Sequence, residues 1–452
     1  MKSPHIVAFD SPCPVVFLTG ATGFLGGALL ARLLERGDVQ VIALVRAKNG
    51  VTPPQRVLHS VNRFLPSAMT SPPPGLQVVE GDLTSLDAVP VEAWAVTHVV
   101  HAAANTSFRS RRGVWEVNYE GTRHLLRFCQ RMPRLRRVVY VGTAMACGER
   151  GGGVLGEERA LDFDAPHIVE YTRSKAATEL DLISGSSLPI ITARPSIIVG
   201  HRTLGVRPSA SIWWYFRAIA ALRFHAWSPS TAIDVVPVDW VVEALEVLLI
   251  KPELQAKIYQ LSAGVEASNV WGDIDRAFVT PSTPAPRVAA TSELGRIQAE
   301  LVVLFPNVER TRLAEALLAY SRFAALGVIF ENQRILDEGV IRPPPFTSLI
   351  SKYLETSVGR SVEDRCETTT DFLVVRRGAL RSAQPPRVCI SRCGSARSSE
   401  TLTNGPRAPR RVRRSSAPRS ARSRQVPAIL ASRASVLACS RSGVFRSVPE
   451  VA

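Results

Sequence analysis

The sequence has little of what several protein classes require. Its 452 residues include seven cysteines, and none of them has the paired spacing of a zinc site. No apolar run reaches the ~18 residues that span a bilayer, and the first residues lack the apolar core of a signal peptide. We therefore expect a soluble, cytoplasmic protein of a reducing compartment, without a metal site and without a disulfide framework.

Acidic residues are scarce and lysine is absent in the last part of the chain, which distorts the overall charge. The formal net charge is +16, a value that by itself suggests a nucleic-acid partner. Residues 376–452, however, hold 17 arginines, no lysine and two acidic residues, so residues 1–375 hold 38 basic and 37 acidic side chains. No nucleic-acid partner is expected for this nearly neutral body.

The basic tail, residues 376–452, is rich in arginine, serine, alanine and proline. It has too few large apolar residues to offset the entropy of ordering, so we predict that it is disordered. Two interpretations stay open. The tail is either a basic arm for the phosphates of nucleic acid or lipid, or the product of a GC-rich gene read out of frame. Its one large aromatic residue, Phe445, argues against a stacking platform for single strands.

A glycine-rich turn stands near the start of the chain. An apolar run, residues 15–19, is followed by Gly20-Ala-Thr-Gly-Phe-Leu-Gly and then by an amphipathic helical pattern. In a dinucleotide-binding unit such glycines permit a tight turn, the approach of backbone N–H groups to a pyrophosphate, and close packing of helix against strand. The residues predicted to bind the cofactor here are Gly20, Thr22, Gly23, Phe24, Leu25 and Gly26.

The second predicted strand, residues 39–45, ends without the acidic residue that would bind the ribose 2′-hydroxyl of NAD. Arg46 stands there instead, with Lys48 close by. A guanidinium fork matches a 2′-phosphate, so the sequence predicts NADP(H) rather than NAD(H). The alternative is a solvated arginine that ends a strand.

Strand-like runs alternate with helical patterns through the first half of the chain. The runs cover residues 15–19, 39–45, 76–80, 98–102, 137–141 and 190–193. This alternation predicts an α/β Rossmann fold, a doubly wound parallel sheet with helices on both faces. An inserted helix is expected over residues 55–65, and a further helical unit over about residues 292–330.

Two residues four apart, Tyr171 and Lys175, share a face if they lie on one helix. An ammonium group beside a phenol stabilises the phenolate, so we expect Lys175 to lower the pKa of Tyr171 and make it a proton donor near neutrality. Thr143 follows the strand at 137–141, where open α/β sheets place their ligands. Its hydroxyl is expected to orient a substrate carbonyl.

These residues resemble an extended short-chain dehydrogenase/reductase over about residues 13–250. The similarity rests on the glycine turn, Gly81-Asp-Leu, His101-Ala-Ala-Ala-Asn-Thr, Val117-Asn-Tyr-Glu-Gly-Thr, Tyr171 with Lys175, and Arg194-Pro-Ser. The resemblance implies catalytic roles for Thr143, Tyr171, Lys175 and Asn118, the last as support for a proton-relay water. It also implies cofactor contacts from Asp82, Leu83, Ala102, Ala103, Ala104, Pro195 and Ser196. Threonine replaces the usual serine at position 143, and its methyl group narrows the pocket.

Within that superfamily, three features resemble the thioester-reductase and fatty acyl-CoA reductase branch, whose cofactor domain is of the male-sterility type. They are the strand end Leu44-Val-Arg-Ala, the inserted helix, and Asp234-Val-Val-Pro-Val-Asp-Trp-Val-Val. The segment Val328-Ile-Phe-Glu-Asn-Gln-Arg-Ile-Leu is similar to the small C-terminal helical domain of fatty acyl reductases. The resemblance implies an NADPH-dependent enzyme of lipid metabolism that reduces fatty acyl thioesters to an aldehyde or alcohol.

The domain prediction has three parts. An NADP-binding domain covers residues 13–290, with substrate-binding insertions at about 205–233 and 250–290. A small helical domain covers residues 291–360, and the basic tail follows. The aromatic segment 212–227 suits an apolar acyl tunnel, a peripheral membrane contact or a buried core helix.

Three other activities stay open. A ketone or aldehyde reductase of the 3β-hydroxysteroid or dihydroflavonol kind would use the same catalytic residues. A nucleotide-sugar epimerase or dehydratase predicts an acid at the end of the second strand, and none is present. A non-catalytic NADP(H)-binding regulator predicts an eroded triad, whereas Thr143, Tyr171 and Lys175 are all present.

Overall fold

The computed structural model describes residues 13–88, 95–108, 110–209, 212–225, 227–278, 287–288 and 310–357. All of them fall in one unit of the chain, residues 1–379. The predictions for the basic tail lie outside the described residues, and the three-part division into domains stays a prediction.

The described residues form fifteen strands and twelve α-helices. The strands are β1 Val15–Thr19, β2 Gln40–Val45, β3 Leu76–Glu80, β4 His98–His101, β5 Arg137–Val141, β6 Gly153–Leu155, β7 Ile190–Pro195, β8 Ile197–Ile198, β9 Phe224–His225, β10 Ala232–Ile233, β11 Val235–Val236, β12 Ile258–Leu261, β13 Asn269–Val270, β14 Arg287–Val288 and β15 Val328–Phe330. The helices are α1 Phe24–Arg36, α2 Pro53–Val61, α3 Arg111–Trp115, α4 Gly121–Cys129, α5 Glu170–Ala177, α6 Trp213–Leu222, α7 Val238–Ile250, α8 Gly264–Ala267, α9 Trp271–Phe278, α10 Arg310–Ala325, α11 Gln333–Asp337 and α12 Ile350–Ser357. None of these helices is long and apolar enough to cross a membrane.

Seven strands form a sheet in which every neighbouring pair is parallel. Their order is β12-β7-β5-β4-β1-β2-β3. The order runs outward in both directions from the adjacent strands β1 and β4, which is the doubly wound Rossmann arrangement. The predicted fold class is therefore confirmed.

Strand β12 is the member of this sheet that the sequence did not predict. It is four residues long, and the polar Gln260 interrupts its apolar pattern. Gln260 is nevertheless buried, because its backbone N–H donates to the Glu157 carboxylate (3.0 Å) and its side-chain amide donates to the Leu155 carbonyl (3.3 Å). Hydrogen-bond partners distant in the chain thus satisfy Gln260, the polar residue that kept β12 from being predicted.

Strand β1 illustrates why both faces of the sheet are covered. Val16 and Leu18 belong to a core that includes α1 and α7, whereas Val15 and Phe17 belong to a second core that includes α4. Successive side chains of a strand point to opposite faces, so a run that is apolar at every position needs helices on both sides. The burial of all five residues of β1 meets this requirement.

The inserted helix α2 begins two residues earlier than predicted. Its first two residues are prolines, and Thr52 caps it in a reciprocal capping box with Gln55. Proline fits the first helical turn because its missing N–H would have no intrahelical partner there. These local signals set the start of α2 before the apolar periodicity begins.

The aromatic segment that begins with α6 is a buried core element. Its rings pack against rings of α9, α12 and the turn before α12, with centroid separations of 5.6 Å for Phe216–Trp271 and 4.8 Å for Phe216–Phe346. The buried aromatic residues of this core are Trp213, Trp214, Tyr215, Phe216, Trp227, Trp271, Phe346 and Tyr353. Burial of these rings is the outcome that the core-helix interpretation predicts.

One secondary-structure prediction is wrong. The expected helical unit at 292–330 contains α10, but its last three residues form the strand β15, which pairs in parallel with β6. Gly327 adopts a φ of +60°, which ends the helical path, and the run Val-Ile-Phe that follows favours a strand. Residues 292–309 of the predicted unit lie outside the described residues.

We predict that Gly26→Ala destabilises the glycine turn. A Cβ at Gly26 would lie 2.1 Å from the Gly20 carbonyl oxygen, which belongs to the backbone and cannot rotate away. Overpacking of this kind costs about 1–3 kcal/mol of unfolding free energy, measurable as a shift in the urea midpoint. Gly185→Ala is the control, because a Cβ there meets nothing within 4 Å. Equal midpoints for the two variants would contradict the prediction.

Candidate active site

A cavity of about 450 Å³ lies at the carboxyl ends of the central strands. Its walls contain residues that directly follow β4, β5 and β7 and residues of the turn after β1, the edge at which open α/β sheets bind ligands. Twelve of the predicted site residues line it: Thr22, Gly23, Phe24, Leu25, Gly26, Ala102, Ala104, Thr143, Tyr171, Lys175, Pro195 and Ser196. The other six are not in its wall: Gly20, Arg46, Asp82, Leu83, Ala103 and Asn118.

The glycine turn fits a nucleotide pyrophosphate. Gly20 has a φ of +81°, and a Cβ there would lie 2.6 Å from the backbone of Ala102 and of Ala103, so the turn after β1 and the loop after β4 touch. Gly23 is the N-cap of α1, and no side chain caps the helix. The first N–H groups of α1 therefore face the cavity side without an internal partner, as a phosphate site requires.

Lys175 is almost fully enclosed by the protein, with 2% of its surface exposed. Its Nζ donates to the Val141 carbonyl at 2.8 Å and lies 4.9 Å from the centre of the Tyr140 ring. Burial lowers the pKa of Lys175 to about 7, and the carboxylate of Glu179 opposes part of this shift. The ammonium group therefore titrates close to neutral pH.

The expected lowering of the Tyr171 pKa is wrong. Burial raises the pKa of Tyr171 to about 12, because the phenolate would lie in a poorly solvated wall. Lys175 does not offset this effect, since its Nζ is turned to the carbonyl of Val141. A phenol of this kind stays protonated at neutral pH, so Tyr171 can donate a proton but cannot act as a base.

The hydroxyl of Thr143 is held at the end of β5. Its oxygen accepts a hydrogen bond from the N–H of Met145 at 3.3 Å and lies 3.5 Å from the Pro195 carbonyl. The first bond caps the short 3₁₀ turn Ala144–Cys147. Thr143 and Tyr171 both line the cavity.

Asn118 lies behind the cavity and is completely buried. Its side-chain oxygen, Oδ1, accepts a hydrogen bond from the backbone N–H of Asn105 (2.8 Å). Its side-chain Nδ2 donates to the backbone carbonyl of Asn105 (3.0 Å) and to the Ser174 hydroxyl (2.9 Å). These contacts join the loop after β4 to helix α5. The relay role implied by the family resemblance stays a prediction.

Behind the glycine turn, a neutral histidine bridges two strands and a helix. His101 bonds to the Thr19 hydroxyl (2.7 Å) through Nδ1 and to the Thr122 hydroxyl (2.8 Å) through Nε2. Burial, with a smaller effect of Lys175, lowers the pKa of His101 to about 3. The Thr122 hydroxyl donates its hydrogen to the backbone carbonyl of Asn118 (2.6 Å), so it can only accept from the histidine. Nε2 of His101 therefore carries the ring hydrogen, and Nδ1 accepts from the Thr19 hydroxyl.

At the end of β2, Arg46 forms an ion pair with Asp82, with 3.2 Å between nitrogen and oxygen. The sequence did not single out Arg56, which α2 brings to the same place. Arg56 donates to the backbone carbonyl of Arg46 and, at 3.3 Å, to the hydroxyl of Thr22 in the glycine turn. Two guanidinium groups thus flank the end of β2, and the capped start of α2 was the available signal for the second.

The apolar side of the cavity was only partly predicted. Tyr215 and Phe216 of α6 line it, as the acyl-tunnel interpretation of this segment suggested. The sequence missed the opposite wall, where Tyr320 of α10 packs on Phe108 with ring centres 5.1 Å apart and on Tyr215 at 5.5 Å. The signal was present as rings at positions 320 and 323, three apart on one helix.

The male sterility protein family, an NAD-binding family, matches residues 18–245. The non-canonical nonribosomal peptide synthetase FrzA from Cladobotryum sp. is 25% identical over 329 residues, which are 63% of this chain but 32% of FrzA. The chain thus spans about a third of the length of that relative.

Two solved structures share the fold. The terminal R domain of the myxalamid PKS-NRPS pathway superposes with a TM-score of 0.64 and 21% identity, over 77% of this chain and 91% of that domain. A thiolation-reductase di-domain from an archaeal non-ribosomal peptide synthetase gives a TM-score of 0.58 and 16% identity, over 76% and 90%. The family match covers just over half of this chain. The chain therefore belongs to the male sterility protein family of NAD-binding domains, within the extended short-chain dehydrogenases/reductases.

Proposed function

We propose that this protein is an NADPH-dependent reductase of acyl thioesters. The proposal rests on one observation, the composition of a single cavity. Its walls hold the glycine turn, the hydroxyls of Thr143 and Tyr171, the ammonium of Lys175 and a set of apolar rings. A nucleotide, a polarised carbonyl and an apolar chain would each have matching groups there.

When bound, the nicotinamide cofactor supplies the hydride that a carbonyl carbon accepts. Thr143 and Tyr171 donate hydrogen bonds to the carbonyl oxygen, and these bonds strengthen as negative charge develops on it. Tyr171 then supplies the proton, which its raised pKa retains until an oxyanion of comparable basicity is present. Loss of the thiol leaves an aldehyde, and reduction of that aldehyde would give an alcohol.

The thioester is favoured over other carbonyl compounds by the relatives and by the rings. FrzA is named as a peptide synthetase, and one of the solved structures pairs a reductase with a thiolation domain. These names support a substrate delivered as a thioester. The rings of Tyr215, Phe216, Tyr320 and Phe323 support an apolar acyl group, fatty or otherwise, on a coenzyme A or carrier-protein thiol.

NADPH is favoured over NADH by the two guanidinium groups beside β2. A 2′-phosphate would compete with Asp82 for Arg46, whose exposed ion pair holds it only weakly. Arg56 already reaches Thr22 in the glycine turn, and its pKa is lowered by burial and, to a smaller extent, by the neighbouring charge of Arg46. An anion between the two arginines would relieve that repulsion.

The proposal predicts that the full-length protein oxidises NADPH when it is given acyl-CoA or acyl-pantetheine thioesters. We expect an aldehyde or alcohol and one equivalent of free thiol, identified by mass spectrometry. Steroid or flavonoid ketones and nucleotide sugars, offered in parallel, are expected to give little turnover. Turnover with ketones alone would instead assign the protein to the ketone-reductase alternative.

Tyr171→Phe is the matched control for this experiment, since it removes only the hydroxyl. General acids contribute about 10²–10⁴-fold to rate, so we expect a loss of turnover in that range with NADPH affinity retained. Unchanged turnover in Tyr171→Phe would remove the phenol from the mechanism.

Arg46→Asp is predicted to shift the cofactor preference from NADPH toward NADH. The carboxylate would repel a 2′-phosphate and accept a hydrogen bond from a 2′-hydroxyl. The measurement is the ratio of kcat/KM for the two cofactors, with Lys48→Asp, two residues further along the chain, as a control. If the ratio does not change in Arg46→Asp but does in Arg56→Ala, the second arginine alone reads the phosphate.

The low pKa of Lys175 predicts that NADPH binds more weakly as the pH rises. Below about pH 7 the free protein carries the ammonium charge, and above it the charge is lost, so the attraction for the anionic cofactor declines. We expect the Kd for NADPH to increase about tenfold per pH unit over the range between the free and bound pKa values. Titrations from pH 6.5 to 9 test this, and Lys175→Met should bind weakly with a flat profile.

A further inference from the structure

Arg63, two residues after α2, is a half-buried cation for which the proposed chemistry has no use. It lines the same cavity as Phe24 and Leu25, at the start of α1, and Ser209, in the loop before α6. Its hydrogen bonds to Ser60 and Pro208 place the guanidinium between α2 and that loop. Burial lowers the pKa of its guanidinium, and no charge on a described residue contributes to that shift.

The guanidinium of Arg63 bonds to neutral oxygens and lies over the Phe64 ring, 5.8 Å from its centre. Nε donates to the Ser60 carbonyl (3.3 Å), Nη2 to the Ser60 hydroxyl (3.0 Å) and Nη1 to the Pro208 carbonyl (3.3 Å). Arginine has five N–H donors, so two remain after these three bonds. The bonds fix the direction of the side chain without neutralising its charge.

Two buried arginines of the described chain are paired with acids. Arg194 contacts Glu179, and Arg223 contacts Asp275, both with little exposed surface. Arg137 lacks an acid but donates to carbonyl groups at the carboxyl end of α7, where a helix dipole favours a cation. Buried charges are normally compensated, whereas Arg63 lines a cavity and has no acidic partner among the described residues.

The position of Ser60 connects Arg63 to the phosphate-binding turn. A Cβ at Gly27 would lie 2.3 Å from the Ser60 hydroxyl oxygen, so Ser60 packs directly on the first turn of α1. The guanidinium that bonds to this hydroxyl therefore lies beside the helix start whose N–H groups have no side-chain cap. A helix N-terminus and an uncompensated guanidinium on one wall both favour an anion.

We propose that Arg63 binds a phosphate group of a ligand in this cavity. The phosphate has two possible sources, the pyrophosphate of the nicotinamide nucleotide and the phosphate of a pantetheine arm. The second source rests on the proposed thioester function, whereas the first requires only that the nucleotide binds. In both cases the Arg63 guanidinium donates its two remaining N–H groups to phosphate oxygens, and the hydrogen bonds to Ser60 and Pro208 hold the guanidinium in place.

The test compares Arg63→Met and Arg63→Lys with the wild type in the full-length chain. Affinity for NADPH is measured by fluorescence titration, and affinity for 4′-phosphopantetheine and for pantetheine by calorimetry with NADP⁺ present. Charge-assisted hydrogen bonds imply about a tenfold to hundredfold loss of affinity for the phosphate-bearing ligand in Arg63→Met. Arg63→Lys, which keeps the charge without the fork, is expected to lose less. Arg137→Met is the control for removal of a half-buried guanidinium, and its affinities should not change.

The outcomes distinguish the nucleotide pyrophosphate from the pantetheine phosphate. They also distinguish failure of the Arg63 inference from failure of the proposed thioester reductase function. Weaker NADPH binding assigns Arg63 to the nucleotide, even if no thioester is ever reduced. Unchanged NADPH binding with a loss confined to 4′-phosphopantetheine, and not seen with pantetheine, assigns it to the arm. Wild-type affinity for every phosphate-bearing ligand in Arg63→Met, or a change that Arg137→Met reproduces, would overturn the inference. Far-ultraviolet circular dichroism and urea midpoints verify that each variant is folded.

Discussion

A buried chain of hydrogen bonds joins the end of β1 to α5, the helix that carries Tyr171 and Lys175. It runs from Thr19 through His101 and Thr122 to the carbonyl of Asn118, whose side chain reaches Ser174 of α5. Each member is enclosed, so each polar atom depends on the next for its partner. Because every link is needed, the glycine turn, the loop after β4 and α5 hold one relative position, and the cavity between them is preformed.

The same helix is tied to the other side of the cavity by charge. Beyond α5, Glu179 pairs with Arg194, and both side chains are almost completely buried. Arg194 lies in β7 directly before Pro195, a residue of the cavity wall. Removal of either partner would leave an unpaired buried charge. The pair therefore fixes the position of the segment after α5 relative to β7, even where it adds little net stability. Lys175 thus lies between two fixed strands, with β5 supplying the carbonyl that it contacts.

Much of this architecture was predictable from local pattern. The strands at 15–19, 76–80 and 137–141 have the predicted bounds, because each is a short run rich in β-branched and other apolar residues. Tyr171 and Lys175 share a wall because a spacing of four on any helix brings side chains to one face. The strand at 258–261 was missed for the opposite reason, since the groups that satisfy its buried glutamine lie about a hundred residues away in the chain.

Sequence by itself determined the fold class, the glycine turn and the common face of Tyr171 and Lys175, because periodicity, glycine geometry and helical spacing are local properties. Tertiary structure alone decided the pKa values of the residues in the cavity. Burial raised the pKa of Tyr171 and lowered that of Lys175, reversing the effect that their proximity in sequence suggested. It also brought Arg56 and Arg63 to the cavity region and closed its apolar side with Tyr320. Desolvation and contacts between distant segments depend on what surrounds a side chain, and that is set only when the chain is folded.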